Sequence, residues 1–503
     1  MTSRGVGGKV LSPVVAPGAV WTAHSDSPDL RGSDESAKAG ETMFRISNHY
    51  VSKIVAVLLL IELGVLFAAG YLGVNLRFMG KPEHLSDFRQ FWVPVGVTAL
   101  SILLGMSAVG MYQRNIDENL RATLLRLMPS FGIALLVMMV VFYAAPELSL
   151  GRVLLVIVLL LSALGILCVR TIFFRLVNSP MLASPILFLG SSDLVRDCME
   201  TSHQNLRNHK YNIVGTIPVA GEESTLSMLV EPAGSLLETA RKYKAEEIVV
   251  AVQNRRGGAL RIQELLECKM KGVRVTDAAG FFEREACQIR LDSLHPSWLV
   301  FGSGFDQSLI RTFMKRSFDL ITSLIMLPLL SPLMLGAAIC IWLEDRGPIL
   351  YRQERVGKNN ENFMVLKFRS MRVDAEKAGT PQWASSGDPR ITRVGNVMRK
   401  YRIDELPQLF NVLRGDMSFV GPRPERPYFV EQFAREITFY NVRHCVKPGI
   451  TGWAQVRYKY GASKDDAIQK LQYDLYYVKN NSLFLDVLIL IDTLSVVIFG
   501  AGT

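Results

Sequence analysis

Cysteine is scarce in this sequence and nowhere arranged for metal or disulfide chemistry. Six cysteines (Cys168, Cys198, Cys268, Cys287, Cys340, Cys445) are scattered over 503 residues without a Cys-x-x-Cys pair. That spacing argues against a zinc site or a disulfide framework and for reduced thiols on a cytosolic side. An Asp-x-Asp triplet, the usual metal signature of nucleotide-sugar glycosyltransferases, is also missing, and that class loses its main support. The glycine-rich dinucleotide loop is incomplete: Gly190-Ser191-Ser192 stands where Gly-x-Gly-x-x-Gly would follow a strand, with only the first glycine in place. Large apolar residues are few in residues 1–42, which are rich in Gly, Ser, Pro and Ala and are expected to be a disordered tail. No apolar segment with a small-residue cleavage site lies there, so a signal peptide is not expected, and Met43 would make a natural alternative start.

Apolar residues, by contrast, make up 49% of the chain and are concentrated in blocks. Four runs, about 50–74, 90–112, 127–147 and 152–174, approach the roughly 20 residues needed to cross a bilayer. They predict a four-helix transmembrane domain over 43–176, with Pro146 breaking the chain between the last two spans. Loop charges are too even to orient the bundle, although Arg170 and Arg175 at the exit of the fourth span favour a cytosolic exit. From 177 to 305 short β-branched runs (Ile186–Leu189, Ile213-Val214, Ile248–Val252, Val273–Val275) alternate with polar helical stretches, the pattern of a Rossmann-like α/β domain with a parallel sheet. With its glycine loop incomplete, a structural or regulatory role is expected there rather than a bound dinucleotide.

A fifth apolar segment, about 319–343, is interrupted by Pro328 and by Ser331-Pro332. Proline removes a helical hydrogen bond, so the helix should bend or break, either as a kinked span or as a re-entrant helix that returns to the same face. Lys315 and Arg316 before it and Arg346 after it are basic at both ends, as a re-entrant helix meeting one anionic surface would be. A true fifth span would carry the rest of the chain to the side opposite the α/β domain. Near the end, Asp486 and Asp492 make 482–500 a packed or interfacial helix rather than a span.

Chemistry-bearing residues gather between 345 and 480. Asp404-Glu405 is preceded by Arg390, Arg393, Arg399, Lys400 and Arg402 and followed by Pro407, with Gly415 ending the helix between them. As an N-cap, Asp404 would contribute about 1 kcal/mol, but capping explains neither Glu405 nor the basic cluster. Adjacent helical side chains diverge by about 100°, so the two acids cannot clamp a sugar as glycosidase carboxylates do. One carboxylate could instead attack a phosphorus or bind a divalent ion, magnesium suiting oxygen ligands and a diphosphate, while arginines hold the phosphates. Gly421-Pro422-Arg423-Pro424 has the form of a rigid turn that presents Arg423.

Taken in order, Lys315-Arg316-Ser317-Phe318-Asp319, Ser331-Pro332, Lys367-Phe368-Arg369-Ser370-Met371, Asp404-Glu405-Leu406-Pro407-Gln408, Gly421–Pro424 and Lys447–Val456 resemble the bacterial sugar transferases called monotopic phosphoglycosyl transferases. The N-terminal spans and α/β domain resemble the long form of that family, including members associated with exopolysaccharide and exosortase loci. The resemblance implies a three-part fold: a membrane α-helical bundle, a Rossmann-like α/β domain and, over 306–503, an α-rich catalytic domain with its re-entrant helix broken at Ser331-Pro332. It implies transfer of a hexose-1-phosphate from a UDP-sugar to undecaprenyl phosphate with release of UMP, on the cytosolic face of the bacterial inner membrane, as the first step of surface-glycan synthesis. Asp404 would be the nucleophile and a magnesium ligand and Glu405 would assist. Arg399, Arg423, Lys367, Arg369 and Gln455 would contact substrate. Glucose or galactose is the expected hexose, and the extra domains offer surface for a homodimer. Two other classes stay open: a membrane-anchored non-catalytic scaffold of polysaccharide assembly, and a nucleotide-sugar glycosyltransferase.

Overall fold

The structure, a computed structural model, describes residues 43–46, 49–78, 91–112, 120–177, 183–190, 193–206, 211–219, 228–252, 261–294, 304–305, 308–373, 375, 388–458, 461 and 463–499. The expected tail 1–42 and the loop positions Ser191-Ser192 lie outside these residues. A short antiparallel pair, β1 (Met43–Ile46) and β2 (His49–Ser52), leads into helices α1 (Lys53–Phe78), α2 (Val93–Ala108), α3 (Leu120–Ala144) and α4 (Arg152–Val177). A single turn, Pro146–Leu148, separates α3 from α4 where the proline predicts a break. Helices α1, α3 and α4 are long and apolar enough to cross a membrane. α2, however, has 16 residues, about 24 Å of rise, and is shorter than the 90–112 span expected.

Inside the bundle, Glu62 of α1 and Arg170 of α4 are fully buried and paired at 2.6 Å. The Tyr112 hydroxyl donates to the same carboxylate, and Arg170 also donates to the Met111 carbonyl at 3.2 Å. Arg170 is therefore an internal partner and not an exit-loop charge, and of the two arginines only Arg175 is exposed. A charge buried this way is tolerated because both ions are paired and hydrogen-bonded.

The α/β unit alternates β3 (Ser184–Leu189), α5 (Asp193–Leu206), β4 (Tyr211–Ile217), α6 (Leu236–Lys242), β5 (Glu247–Val250), α7 (Ile262–Met270), β6 (Arg274–Asp277) and α8 (Ala278–Ala286). Its four strands pair in parallel in the order β4-β3-β5-β6, and the two inner strands β3 and β5 are almost entirely buried, with apolar clusters on both faces. All four apolar runs of the sequence become these strands. The chain then joins the next domain directly: Cys287 and Ile289 enter its core, the Trp453 indole donates to the Cys287 carbonyl at 2.8 Å, and Lys479 pairs with Glu283 at 2.7 Å with both nearly buried.

The last domain opens with α9 (Leu309–Asp345), 37 residues long. The hairpin β7 (Leu350–Val356) and β8 (Asn362–Phe368) follows, then α10 (Arg393–Lys400), a 3₁₀ turn at Ile403–Glu405, α11 (Gln408–Arg414), β9 (Ser418–Val420), α12 (Pro427–Glu436), β10 (Gly449–Thr451), α13 (Trp453–Arg457), α14 (Lys464–Asn480) and α15 (Leu483–Phe499). Helix α9 carries Pro328 and Pro332 inside it, at the positions where a bend or break is expected. Pro332 cannot donate to the Pro328 carbonyl, and the Ser331 hydroxyl donates to that carbonyl at 2.8 Å instead.

Both ends of α9 are fastened to the one domain. At its start Lys315 reaches Asp486 of α15 at 2.6 Å, and Asp319 accepts from the Ser418 hydroxyl and the Phe419 amide. At its end Asp345 pairs with Arg369, and Ile341 packs on Phe368 and Met398. Between them Ile321, Leu324, Ile325, Leu329, Leu333 and Leu335 are exposed, an apolar face that water would not favour. α15 is packed as its acids predicted, Asp486 on Lys315 and Tyr477 and Asp492 on Arg457 at 3.3 Å.

Candidate active site

Asp404 and Glu405 sit on the 3₁₀ turn Ile403–Glu405, which Arg402 enters in the left-handed conformation (φ 57°). Asp404 is therefore inside a turn and caps no helix. Pro407 holds the N-cap position of α11, and Gly415, at φ +102°, ends that helix as the sequence indicates. The tight turn separates the two carboxylates and gives each its own surroundings, although both are buried.

Glu405 is enclosed by cations from three separate stretches of chain. Its Oε1 lies 2.7 Å from Arg423 Nη2, 3.4 Å from Lys367 Nζ and 3.4 Å from Arg402 Nη1. Burial pushes its carboxyl up, but the charges of Arg423, Lys367 and Arg402 override this and hold it far below the usual range. Glu405 is permanently ionised and neutralised in place. Asp404, one residue away, has the opposite environment: its Oδ1 is buried without a hydrogen-bond partner. Burial and the neighbouring Glu405 raise its pKa, against Lys367, Arg399 and Arg402, which lower it. This is the pattern of a poised acid beside a structural one.

Local folding explains the arrangement. Lys367 is on β8, and β8 is tied to α11 by the buried Asn411, whose amide donates to the Met364 carbonyl at 2.8 Å and accepts from the Leu366 amide at 2.9 Å. Lys367 is thus carried to Glu405, and burial lowers its amine to about 8 despite Glu405. Arg423 is aimed by its turn: a side chain at Gly421 would come within 2.3 Å of the Lys447 carbonyl, so the turn lies directly against the Lys447-Pro448-Gly449 stretch. The Gly421 amide donates to the Thr451 carbonyl at 2.9 Å, and Arg443 holds the Arg423 carbonyl at 2.9 Å.

Lys367, Arg402, Asp404 and Arg423 open onto a cavity of about 440 Å³, a size suited to a small-molecule ligand. Lys367, Arg369, Arg399, Asp404, Arg423 and Gln455 all line it. The Arg399 side chain makes no hydrogen bond or ion pair among the described residues and acts on Asp404 through space. Gln455 Nε2 donates to the Ile450 carbonyl at 3.3 Å, while its Oε1 is buried without a partner. Arg369 is partly committed elsewhere, because Asp345 holds its guanidinium and so joins the cavity wall to the end of α9. The wall also holds residues the sequence gave no reason to choose: Tyr440, Arg443 and Asp474, with Arg443 paired to Asp474 at 2.8 Å. Burial raises the Asp474 carboxyl to about 6, against the pull of Arg443. Their only sequence signal was the density of charged and aromatic residues between 423 and 474.

Among the described residues no group of three or more His, Cys, Asp or Glu side chains is placed to hold a metal. Magnesium does not need one, since it commonly takes one or two carboxylates and completes its shell with waters and substrate phosphates. The unpartnered Oδ1 of Asp404 fits that role.

A buried, unpaired carboxylate beside a neutralised one, in an arginine-lined cavity on a membrane-anchored domain, defines an anion-binding centre with an activated acid. Comparison with known proteins narrows this class. A family model described as bacterial sugar transferase matches residues 310–500. A UDP-N-acetylgalactosamine-undecaprenyl-phosphate N-acetylgalactosaminephosphotransferase of Aeromonas hydrophila is 48% identical over 238 residues, 47% of this chain and 55% of that protein. A UDP-glucose:undecaprenyl-phosphate glucose-1-phosphate transferase of Escherichia coli (strain K12) is 31% identical over 328 residues, 58% of this chain and 69% of that one. A putative undecaprenyl-phosphate N-acetylgalactosaminyl 1-phosphate transferase of Bacillus subtilis (strain 168) is 53% identical over 129 residues, 26% of this chain and 72% of the relative. The chain belongs to the bacterial sugar transferase family. It spans about half the length of the Aeromonas relative, the matched part being 55% of that protein.

Proposed function

We propose that this protein transfers a hexose-1-phosphate from a UDP-sugar to undecaprenyl phosphate, through a phosphosugar bound to Asp404. The observation that carries the reading is the contrast between the two acids: Asp404 is buried with a free oxygen, whereas three cations occupy Glu405. A nucleophile needs an available lone pair, which the unpartnered Oδ1 of Asp404 offers, whereas Oε1 of Glu405 is held by three cations.

In this reading the diphosphate enters the arginine-lined cavity, where Arg399 and Arg423 balance its charge. An oxygen of Asp404 attacks the sugar-bearing phosphorus, the bond from that phosphorus to the bridging oxygen breaks, and UMP leaves with the bond electrons. A phosphate oxygen of undecaprenyl phosphate then attacks the same phosphorus and displaces the Asp404 carboxylate, leaving an undecaprenyl diphosphate sugar and the original enzyme. Magnesium, held by Asp404 and substrate oxygens, would supply neutralisation of the diphosphate charge. Glu405 favours the charged form of Lys367 and holds Arg402 and Arg423 in place around the reacting group.

The lipid acceptor would reach the site along α9. Its two ends are fastened to one domain and its middle exposes an apolar face, which favours a helix that dips into the membrane and returns. The cytosolic face of the inner membrane, where nucleotide sugars reside, is the proposed location, and a reporter fused after Thr503 should behave as cytosolic; a periplasmic signal would contradict the re-entrant reading. For the reaction itself, the purified protein with magnesium and undecaprenyl phosphate is offered UDP-glucose, UDP-galactose and their N-acetylated counterparts in turn, and UMP is measured. Release with at least one sugar is expected, and none with any sugar would sink the proposal.

A further inference from the structure

At the start of α9 two faces of one helix have opposite character. Leu309, Ile310, Phe313 and Met314 are exposed and apolar, whereas Arg311, Thr312, Lys315 and Arg316 turn toward a second cavity of about 80 Å³. That volume is several times what one water requires. Five cations, Arg311, Lys315, Arg316, Lys358 and Lys447, line the cavity against one carboxylate, Asp319. The carboxylate is already engaged, since its Oδ1 accepts from the Ser418 hydroxyl and the Phe419 amide. Two of the cations are engaged as well: Lys315 pairs with Asp486, and Arg316 donates to the Val412 and Leu413 carbonyls at 2.6 and 2.8 Å. Lys358 and Lys447, brought in from other parts of the chain, form no ion pair among the described residues. Burial lowers the Lys447 amine, and Arg316 and Lys358 lower it further against Asp319 and Asp416.

We propose that this cavity holds the phosphate headgroup of an anionic membrane phospholipid, with Lys358 and Lys447 as its principal contacts. The inference rests on reading α9 as membrane-embedded, and it is separate from the transfer reaction. The cavity shares no lining residue with the one at Asp404, which sets it apart from the acceptor's reacting phosphate. Four exposed apolar side chains on the other face of the same helical turns give the acyl chains a place to lie, and five cations give the headgroup charge. A lipid held there would fix the depth of α9 at the membrane surface.

The test is native mass spectrometry of the full-length protein in neutral detergent, titrated with phosphatidylglycerol, phosphatidylcholine or inorganic phosphate. One phosphatidylglycerol should bind saturably and more tightly than phosphatidylcholine, with inorganic phosphate failing to displace it. The double substitution Lys358→Gln/Lys447→Gln should weaken that binding about thirtyfold, two charges at about fivefold each. Lys358→Arg/Lys447→Arg should restore it, which separates lost charge from lost folding. A control pair in the α/β unit, Lys269→Gln/Lys271→Gln, should leave it unchanged. Wild-type binding in the Lys358→Gln/Lys447→Gln protein, or equal loss in the control, would overturn the proposal. Displacement by inorganic phosphate would make the cavity a free-anion site, and one-for-one displacement by undecaprenyl phosphate would make it an acceptor site; either result also overturns it.

Discussion

Replacing Glu405 by glutamine keeps its shape and removes the charge on which Arg423, Lys367 and Arg402 converge. The effect can be worked from Lys367. Its amine titrates near 8 instead of the ordinary 10.5, a cost of about 3 kcal/mol to the charged form, and Glu405 is the largest influence raising it. Without that carboxylate the amine falls below 8 and loses more of its charge at neutral pH, while Arg423 keeps at most a neutral acceptor in place of the carboxylate 2.7 Å away. Two of the charges aimed at the diphosphate are then lost or displaced, and about 3 to 4 kcal/mol of transition-state stabilisation, a hundredfold to a thousandfold in kcat/KM, should go with them. The pH profile of UMP release supplies the sign. In the wild-type protein kcat/KM should hold below about 8 and fall as pH rises through it, because Lys367 loses its proton there. In Glu405→Gln this alkaline limb should move to lower pH, and in Lys367→Arg it should vanish. A Glu405→Gln protein within about threefold of wild-type kcat/KM, with its alkaline limb unmoved, would refute the reasoning.

Two further substitutions probe the scaffold. Asn411→Leu leaves the Leu366 amide and the Met364 carbonyl buried without partners, so it should lower stability by about 2 to 5 kcal/mol and also reduce kcat/KM by displacing Lys367; thermal unfolding in detergent and UMP release measure the two effects. Glu62→Gln removes the counter-charge of Arg170 within the bundle and should cost about 3 to 5 kcal/mol, with most of the loss recovered in Glu62→Gln/Arg170→Met, as read from the same unfolding curves.

Much of this architecture was legible because it depends on short-range pattern. Apolar runs marked the long helices of the bundle, and β-branched runs at Ile186–Leu189 and Ile248–Val252 fell on buried strands β3 and β5. Gly415 marked a helix end because only a left-handed residue closes it there. What escaped was set by distance in sequence or by one backbone torsion. Arg402 turns left-handed and converts the expected N-cap at Asp404 into a 3₁₀ turn, which changes the carboxylate's surroundings altogether. Lys367 and Arg423 were recognisable as basic groups near a phosphate site, but their meeting on Glu405 depends on a hairpin, a buried asparagine and a tight glycine turn. Arg170 resembled an exit-loop charge because its partner Glu62 lies 108 residues away. Asp474 and Arg443 could not have been singled out without the cavity they share.

The central claim is that Asp404 carries the sugar phosphate, and it is tested most directly by following a UDP-sugar radiolabelled in the sugar, without undecaprenyl phosphate. Label should remain on the denatured wild-type protein with one UMP released per label bound, should leave on addition of undecaprenyl phosphate, and should never appear on Asp404→Asn. Equal labelling of Asp404→Asn, or UMP release that requires the acceptor and leaves no label on the protein, would contradict the account.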